Sequence, residues 1–349
     1  MRPEPARIEP IFSPRIWGAR SLAPLYPEKI HLKEPLGEAW LTGVDCRIAN
    51  GPFAGKTLGE AWREMPAEWR GTRLASTAHF PLLVKFIFPN DKLSIQVHPD
   101  DAYAATHERA AGGRGKTEMW HAVSAETGAR VLIALVRKAD QSAFLKALET
   151  QTLEKLFIHW RVQPGDTFFI PAGTPHTIGP GMILCEVQEY SDLTYRVYDY
   201  GRVDAHGKPR ELHIQKALDV IQFGKPASGK VSEIRLQAQR LHRSLLAACR
   251  YFATEGWKNF GTLETQSEAD HFDLFVVLTG SGDFTWDGGT AKYQPGHCWF
   301  IPASLGPFAL HPEEPTKILR TYVPDLLALR ANLKQEGHSE AEIAKTVFD

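Results

Sequence analysis

Four side chains in the middle of the chain have the types and the spacing to hold one metal ion. In KLSIQVHPDD, Gln96 and His98 are separated by one position. On a β-strand both would project from one face, while Ile95 and Val97 project from the other. GKTEMWHAV places Lys116 and Glu118 on one face by the same rule, and His176 follows the PAGTP loop at the start of a further strand. Two imidazole nitrogens, one carboxylate and one amide oxygen form a mixed N/O donor set suited to zinc, with iron, manganese and cobalt also compatible. Only Glu118 is anionic, so a bound dication keeps net positive charge and remains a Lewis acid toward an added oxygen. This favours catalysis over bracing, because structural zinc is more often closed by four Cys or His ligands. One Zn2+ per chain is the expectation. His107, His121 and His159 lack a comparable setting and read as surface or supporting residues.

The elements that must carry these side chains are mostly strands. Short apolar or alternating runs bounded by Gly, Pro and Asp recur, among them PLLVKFIF, RVLIALV, DTFFIP, MILCEVQ, TYRVYDY, DLFVVLTG and HCWFIP, which predicts a many-stranded antiparallel framework. Helical periodicity is confined to Thr57 to Trp69, Asp140 to Phe157, Glu211 to Ile221 and Leu326 to Val347. An internal repeat organises the rest. PGDTFFIPAGTPH (Pro164 to His176) matches PGHCWFIPASLGP (Pro295 to Pro307) without gaps, each copy reading as turn, strand, turn. Two β-barrels in tandem account for the match. The linker candidate is Gly224 to Val231, GKPASGKV, so the expected domains are 1–224, carrying the site, and 232–349, a metal-free second barrel with a helical C-terminal extension. The second barrel carries Pro307 where the first has His176, and proline cannot ligate a metal.

Composition narrows the partners. The 349 residues are 43% hydrophobic and 23% charged with a net charge of -1, so nothing draws the chain toward nucleic acid or an anionic membrane. Four scattered cysteines (Cys46, Cys185, Cys249, Cys298) fit reduced, buried thiols. The opening MRPEPARIEPIFSPRIWG lacks the basic start and apolar core of a signal peptide, and no segment has the apolar length of a membrane span. A cytoplasmic monomer is expected.

IQVHPDD, GKTEMW, FIPAGTPHTIG and SDLTYRVYDYGR, together with RIWGARSL near the N-terminus, resemble the signatures of the type I mannose-6-phosphate isomerases, a cupin family. The resemblance runs from about Ile11 to Ile221 and more weakly through the second half. It implies tandem cupin-type jelly-roll barrels with a few peripheral helices, a mainly β fold. It further implies reversible, zinc-dependent conversion of mannose 6-phosphate to fructose 6-phosphate, with the ion on Gln96, His98, Glu118 and His176. The family's catalytic arginine falls on Arg196, and Lys116 sits where the family has a basic active-site residue. Glu186 and Asp192 lie on the strand and turn leading to Arg196. The C-terminal extension after about Pro324 departs from the pattern.

Aldose–ketose isomerisation moves a proton between C2 and C1 through a cis-enediol, so such a site must take a weakly acidic C–H proton and stabilise oxyanion charge. Arg196 can donate to that charge beside the metal. Glu186, Asp192, Lys116 with a lowered pKa, or a metal-bound hydroxide could each carry the proton. For the phosphate, Arg202 with Lys116 or Arg196 supplies the nearest cations. A straight strand would hold residues 196 and 202 roughly 20 Å apart, so the chain must bend there if both arginines reach one sugar phosphate. A surface pairing of Arg202 with Asp199 or Asp204 is the alternative. Trp17, Trp120 and Tyr195 could line a sugar pocket or pack in the core. A non-catalytic, metal-containing sugar-binding cupin is the competing reading. A metal-dependent oxygenase is disfavoured by the amide ligand.

Overall fold

The apolar runs become strands, and the most apolar of them lie between layers. In the computed structural model, which describes residues 1–203, 207–224, 229–238, 241–258 and 261–349, the Leu82–Ile87 strand is buried along its whole length. Leu82, Val84 and Phe86 enter one core and Ile87 another, as strict alternation dictates. Neither face is exposed, so every residue of the run is apolar except Lys85.

Four antiparallel sheets result. A six-stranded sheet orders Ile11–Ala19, Leu36–Trp40, Leu82–Ile87, Met182–Glu189, Glu118–Ala125 and Thr167–Ile170. A five-stranded sheet orders Tyr195–Tyr198, Ile95–Val97, His176–Ile178, Arg130–Leu135 and Phe157–Arg161. Trp120, Phe168 and Leu184 of the first meet Val131, Ile133 and Ile178 of the second in a shared core. The second half of the chain repeats this plan. Its seven-stranded sheet runs Ala6–Ile8, Cys298–Ile301, Asp273–Thr279, Lys317–Tyr322, Ala253–Lys258, His242–Ala248 and Ile234–Leu236. Its four-stranded sheet runs Leu263–Gln266, Pro307–Pro312, Gly282–Trp286 and Gly289–Tyr293. Trp257, Phe275, Phe284, Trp299 and Phe308 fill the space between them. The two large sheets meet back to back through Val84, Phe86, Phe169 and Val187 on one side and Phe252, Leu274, Val276 and Phe300 on the other.

These are open sheets, and that corrects the expected tandem cupin-type jelly-roll barrels. Each sheet has two free ends in its strand order, and none returns to pair its last strand with its first. The architecture is a mixed α/β fold of several separate open antiparallel sheets with helices added. Strand alternation fixes which side chains face inward, but closure depends on hydrogen bonds between edge strands remote in sequence, which a local pattern does not encode.

The helices begin where side chains supply caps. Thr57 and Glu60 form a capping box at Leu58–Glu64, Asp140 caps Gln141–Glu149, and Asp325 caps Leu326–Gln335. Asp100 caps a further helix, Asp101–His107, inside the excursion between the Gln96 and Glu118 strands. Of the expected linker, residues 225–228 lie outside the described residues. Gly229 and Val231 hydrogen-bond along the edge of Thr167–Ile170, through Phe169 N to Gly229 O (3.0 Å) and Val231 N to Thr167 O (2.8 Å). All four cysteines are free and buried. Among the described residues no helix is long and apolar enough to cross a membrane.

Candidate metal centre and active-site cleft

Facing sheets deliver the metal ligands from opposite sides. In the five-stranded sheet Gln96 lies across from His176 on one neighbour and from Arg196 on the other. Glu118 opens its strand in the six-stranded sheet, opposite Gln188 and Ile170. The donor atoms of His98, Glu118 and His176 all lie within 4.8 Å of one another, and the three residues are buried. His98 Nε2 is 3.6 Å from Glu118 Oε2, and His176 Nε2 is 3.4 Å from Oε1.

Hydrogen bonds behind the rings orient them. His98 Nδ1 donates to the Leu193 carbonyl at 2.8 Å and His176 Nδ1 to that of Thr174 at 2.9 Å. Each Nε2 therefore presents a bare lone pair to the shared space. Burial drives the His98 pKa well below its usual value, with the Lys116 charge adding to the effect, and takes His176 down to about 4. Both rings are then neutral, the form that ligates. Glu118 has two buried oxygens that accept no hydrogen bond, although the Lys116 ammonium lies 2.9 Å from Oε2. A carboxylate buried without hydrogen-bond donors is costly, and a divalent cation supplies what it lacks. The three side chains form a mononuclear metal site of the kind that holds Zn2+. Gln96 adjoins it, with its amide nitrogen 3.3 Å from His176 Nε2, and a half-turn of the amide exchanges nitrogen for oxygen.

Above the site opens a cleft of about 510 Å³ whose walls include Trp17, Lys85, Gln96, Lys116, Glu186, Asp192, Arg196 and Arg210. Its floor is a chain of charges. Lys116 Nζ is 3.9 Å from Glu186, Lys85 Nζ is 4.0 Å from Glu186, and Lys85 Nζ is 2.8 Å from Asp192. Burial alone would discharge Lys116, but Glu118, Glu186 and Asp192 outweigh it and hold the ammonium above its usual range. That is opposite to the lowered value a lysine base needs. Burial raises the Glu186 carboxyl despite Lys116. Trp120 Nε1 donates to Glu186 at 3.0 Å while its ring meets His176 edge-on at 5.3 Å, so one indole orients both side chains. Asp192 is held below its usual value, against burial, by Lys85 and Lys116.

Arg196 Nη1 donates to the Glu211 carbonyl at 3.0 Å, and its Nε is buried with no partner. Arg202 is not brought to the cleft. The chain turns at Tyr200 and Gly201, with φ of 58° and 70°, and Arg202 pairs with Asp199 at 2.6 Å and Asp91 at 3.4 Å. Arg210, bridged to the same Asp199 at 2.5 and 2.8 Å, lines the cleft instead. Trp17 both packs in the core and forms cleft wall. Tyr195 points to the opposite core and hydrogen-bonds Glu108 at 2.8 Å.

Sequence reasoning passed over Lys85 and Arg210. The signal for Lys85 was present: a lone cation inside PLLVKFIF is 2% exposed, and a charge in a buried strand demands a partner. Arg210 had none, because its place depends on a pairing with Asp199 that only the turn at Tyr200 and Gly201 allows.

The site and fold together define a mononuclear metalloenzyme built on paired antiparallel sheets. Residues 6–126 match the sequence model of a family described as phosphomannose isomerase type I, catalytic domain. The chain is 36% identical over 287 residues to the mannose-6-phosphate isomerase of Streptococcus mutans, covering 81% of this chain and 87% of that one. It is 33% identical over 321 residues to the Bacillus subtilis mannose-6-phosphate isomerase ManA, covering 89% and 96%. The crystal structure of the mannose 6-phosphate isomerase from Bacillus subtilis shares the fold with a TM-score of 0.82 at 29% identity, over 91% of this chain and 99% of that one. The chain belongs to the type I mannose-6-phosphate isomerase family. The family part of the resemblance therefore holds, while its closed cupin barrels are replaced by open sheets.

Proposed function

We propose that this protein is a zinc-dependent aldose–ketose isomerase that interconverts mannose 6-phosphate and fructose 6-phosphate through a cis-enediol. The observation that carries this is the buried His98–Glu118–His176 donor set under a cleft lined by both carboxylates and cations. We assign Gln96 as the fourth ligand on its position beside His176. When bound, the ion supplies Lewis acidity toward substrate oxygen. The other tasks fall to side chains. Glu186 is buried at the cleft floor with its carboxyl pushed toward neutrality, the condition that suits a proton carrier between C2 and C1. Lys116 and Arg196 supply hydrogen-bond donors for charge developing on O1 and O2. Asp192 holds Lys85 in place at 2.8 Å. Arg196 and Arg210 are the cations suited to the phosphate, and Arg202 supports them by sharing Asp199 with Arg210. Trp17 gives the sugar an apolar wall.

A binding-only protein would have no use for a charge chain running from the metal ligand Glu118 into the cleft. Chelator-treated protein should lose isomerisation of mannose 6-phosphate, regain it with Zn2+, and leave unphosphorylated mannose largely unconverted. Full activity in protein shown to be metal-free by elemental analysis would refute the mechanism.

A further inference from the structure

Strand register places the charged residues of the two halves in correspondence. Gln96 faces His176, and Gln266 faces Pro307. Glu118 faces Ile170, and Asp273 faces Ile301, the matching residues of the internal repeat. Glu186 lies between Trp120 and Lys85, and Arg320 lies between Phe275 and Glu255. Counting two residues from these anchors sets Glu268 against His98 and His271 against Lys116. The carboxylate of the metal site thus has a counterpart in Asp273, and the pair Lys85 and Glu186 is replaced by Glu255 and Arg320 with the charges exchanged.

The exchange brings a cation into the second pocket. Arg320 is buried, and its guanidinium donates from Nε to Asp273 at 2.8 Å and from Nη2 to Glu268 at 2.9 Å, with His271 Nε2 at 3.2 Å. Around it the donor atoms of Glu268, Asp270 and His271 lie within 4.8 Å of one another. His271 is 4% exposed, and its Nδ1 forms no hydrogen bond although Asp270 Oδ1 is 2.8 Å away. A planar fork matches two carboxylates as a metal ion would, and being covalent it cannot dissociate.

We propose that this pocket is the counterpart of the metal site with the Arg320 guanidinium standing in the place of the ion, and that removing the guanidinium opens a divalent-cation site on Glu268, His271 and Asp273. Glu268 is exposed enough to admit an ion from solvent, with a side chain 53% accessible. The second half therefore carries its own cation and needs no metal to neutralise its buried acids.

The test compares full-length wild type with Arg320→Met, Arg320→Lys and the double variant Arg320→Met/Asp273→Asn. Each is incubated with excess Co2+, dialysed, and analysed for cobalt per chain and for melting temperature with and without Co2+. Arg320→Met should hold one more ion per chain than wild type and melt higher with Co2+. Arg320→Lys and the double variant should hold no additional ion. No extra ion in Arg320→Met, or an extra ion that survives Asp273→Asn, overturns the proposal. Should Arg320→Met fail to fold without metal, refolding with Co2+ must return a folded chain with the additional ion, and failure to do so overturns it equally.

Discussion

At the scale of single residues, the centre was legible where chemistry and spacing coincide locally. Gln96 and His98 share a strand face whatever the rest of the chain does, and Glu118 and Lys116 do likewise. Residues whose role depends on distant partners were not legible. Lys85 finds Asp192 at 2.8 Å across 107 positions, and Arg210 rather than Arg202 reaches the cleft because of the turn at Tyr200. Glu186 offers the sharpest single-residue prediction. Glu186→Gln keeps an acceptor for Trp120 Nε1 and the same volume but cannot carry a proton. Turnover should fall about 10²–10⁴-fold while metal content, read by elemental analysis, stays at the wild-type level. Loss of the ion in step with activity would show instead that Glu186 acts by supporting the ligands.

At the scale of elements, strands and helices were readable from alternation, periodicity and caps, whereas the relation of one sheet edge to another was not. Nothing in PGDTFFIP states that its strand ends the six-stranded order rather than closing a ring. The PAGTPH loop shows what such connections demand. Gly173 has φ of +81°, and a Cβ there would lie 2.7 Å from the Val220 carbonyl oxygen. Its N–H donates to His98 O at 2.8 Å, and its own carbonyl accepts from Gln222 N at 3.1 Å. Gly173→Ala should lower stability by about 1–3 kcal/mol and weaken metal binding, measured by competition with a chromophoric chelator. Gly306→Ala, at φ of +79° with nothing within 4 Å, should cost less stability and leave metal affinity unchanged.

At the scale of the whole molecule, the repeat was legible as thirteen aligned residues, six of them identical, but what the two halves do to each other was not. Asp101, in the excursion between the ligand strands, accepts from Tyr251 OH of the second half at 2.6 Å. It also accepts a hydrogen bond from Glu189, whose carboxyl is pushed up to about 8 by burial and by the Asp101 charge. Glu189 is thus protonated in the folded protein at neutral pH. Its folded pKa lies above the unfolded value near 4.5, so the folded state binds more protons between the two. The stabilisation is complete below the unfolded value and is lost as pH rises toward 8, on the order of 1 kcal/mol per pH unit. Wild-type melting temperature should fall between pH 5 and 8, and Glu189→Gln, which cannot ionise, should flatten that slope. An unchanged slope would remove Glu189 as its source.

The Ala6–Ile8 strand, which pairs with Cys298–Ile301 at the edge of the seven-stranded sheet, sets a schedule for biosynthesis. One edge of this strand can bond early, through Arg7 N–H to Asn50 Oδ1 and Ala49 N–H to Arg7 O, but the strand that pairs with its other edge lies nearly three hundred residues further on, and loop-closure entropy opposes that contact. The nascent first half must wait with its back uncovered, since the seven-stranded sheet that shields Val84, Phe86 and Val187 is translated last. The seven-stranded sheet becomes whole only when Ala6–Ile8 meets Cys298–Ile301.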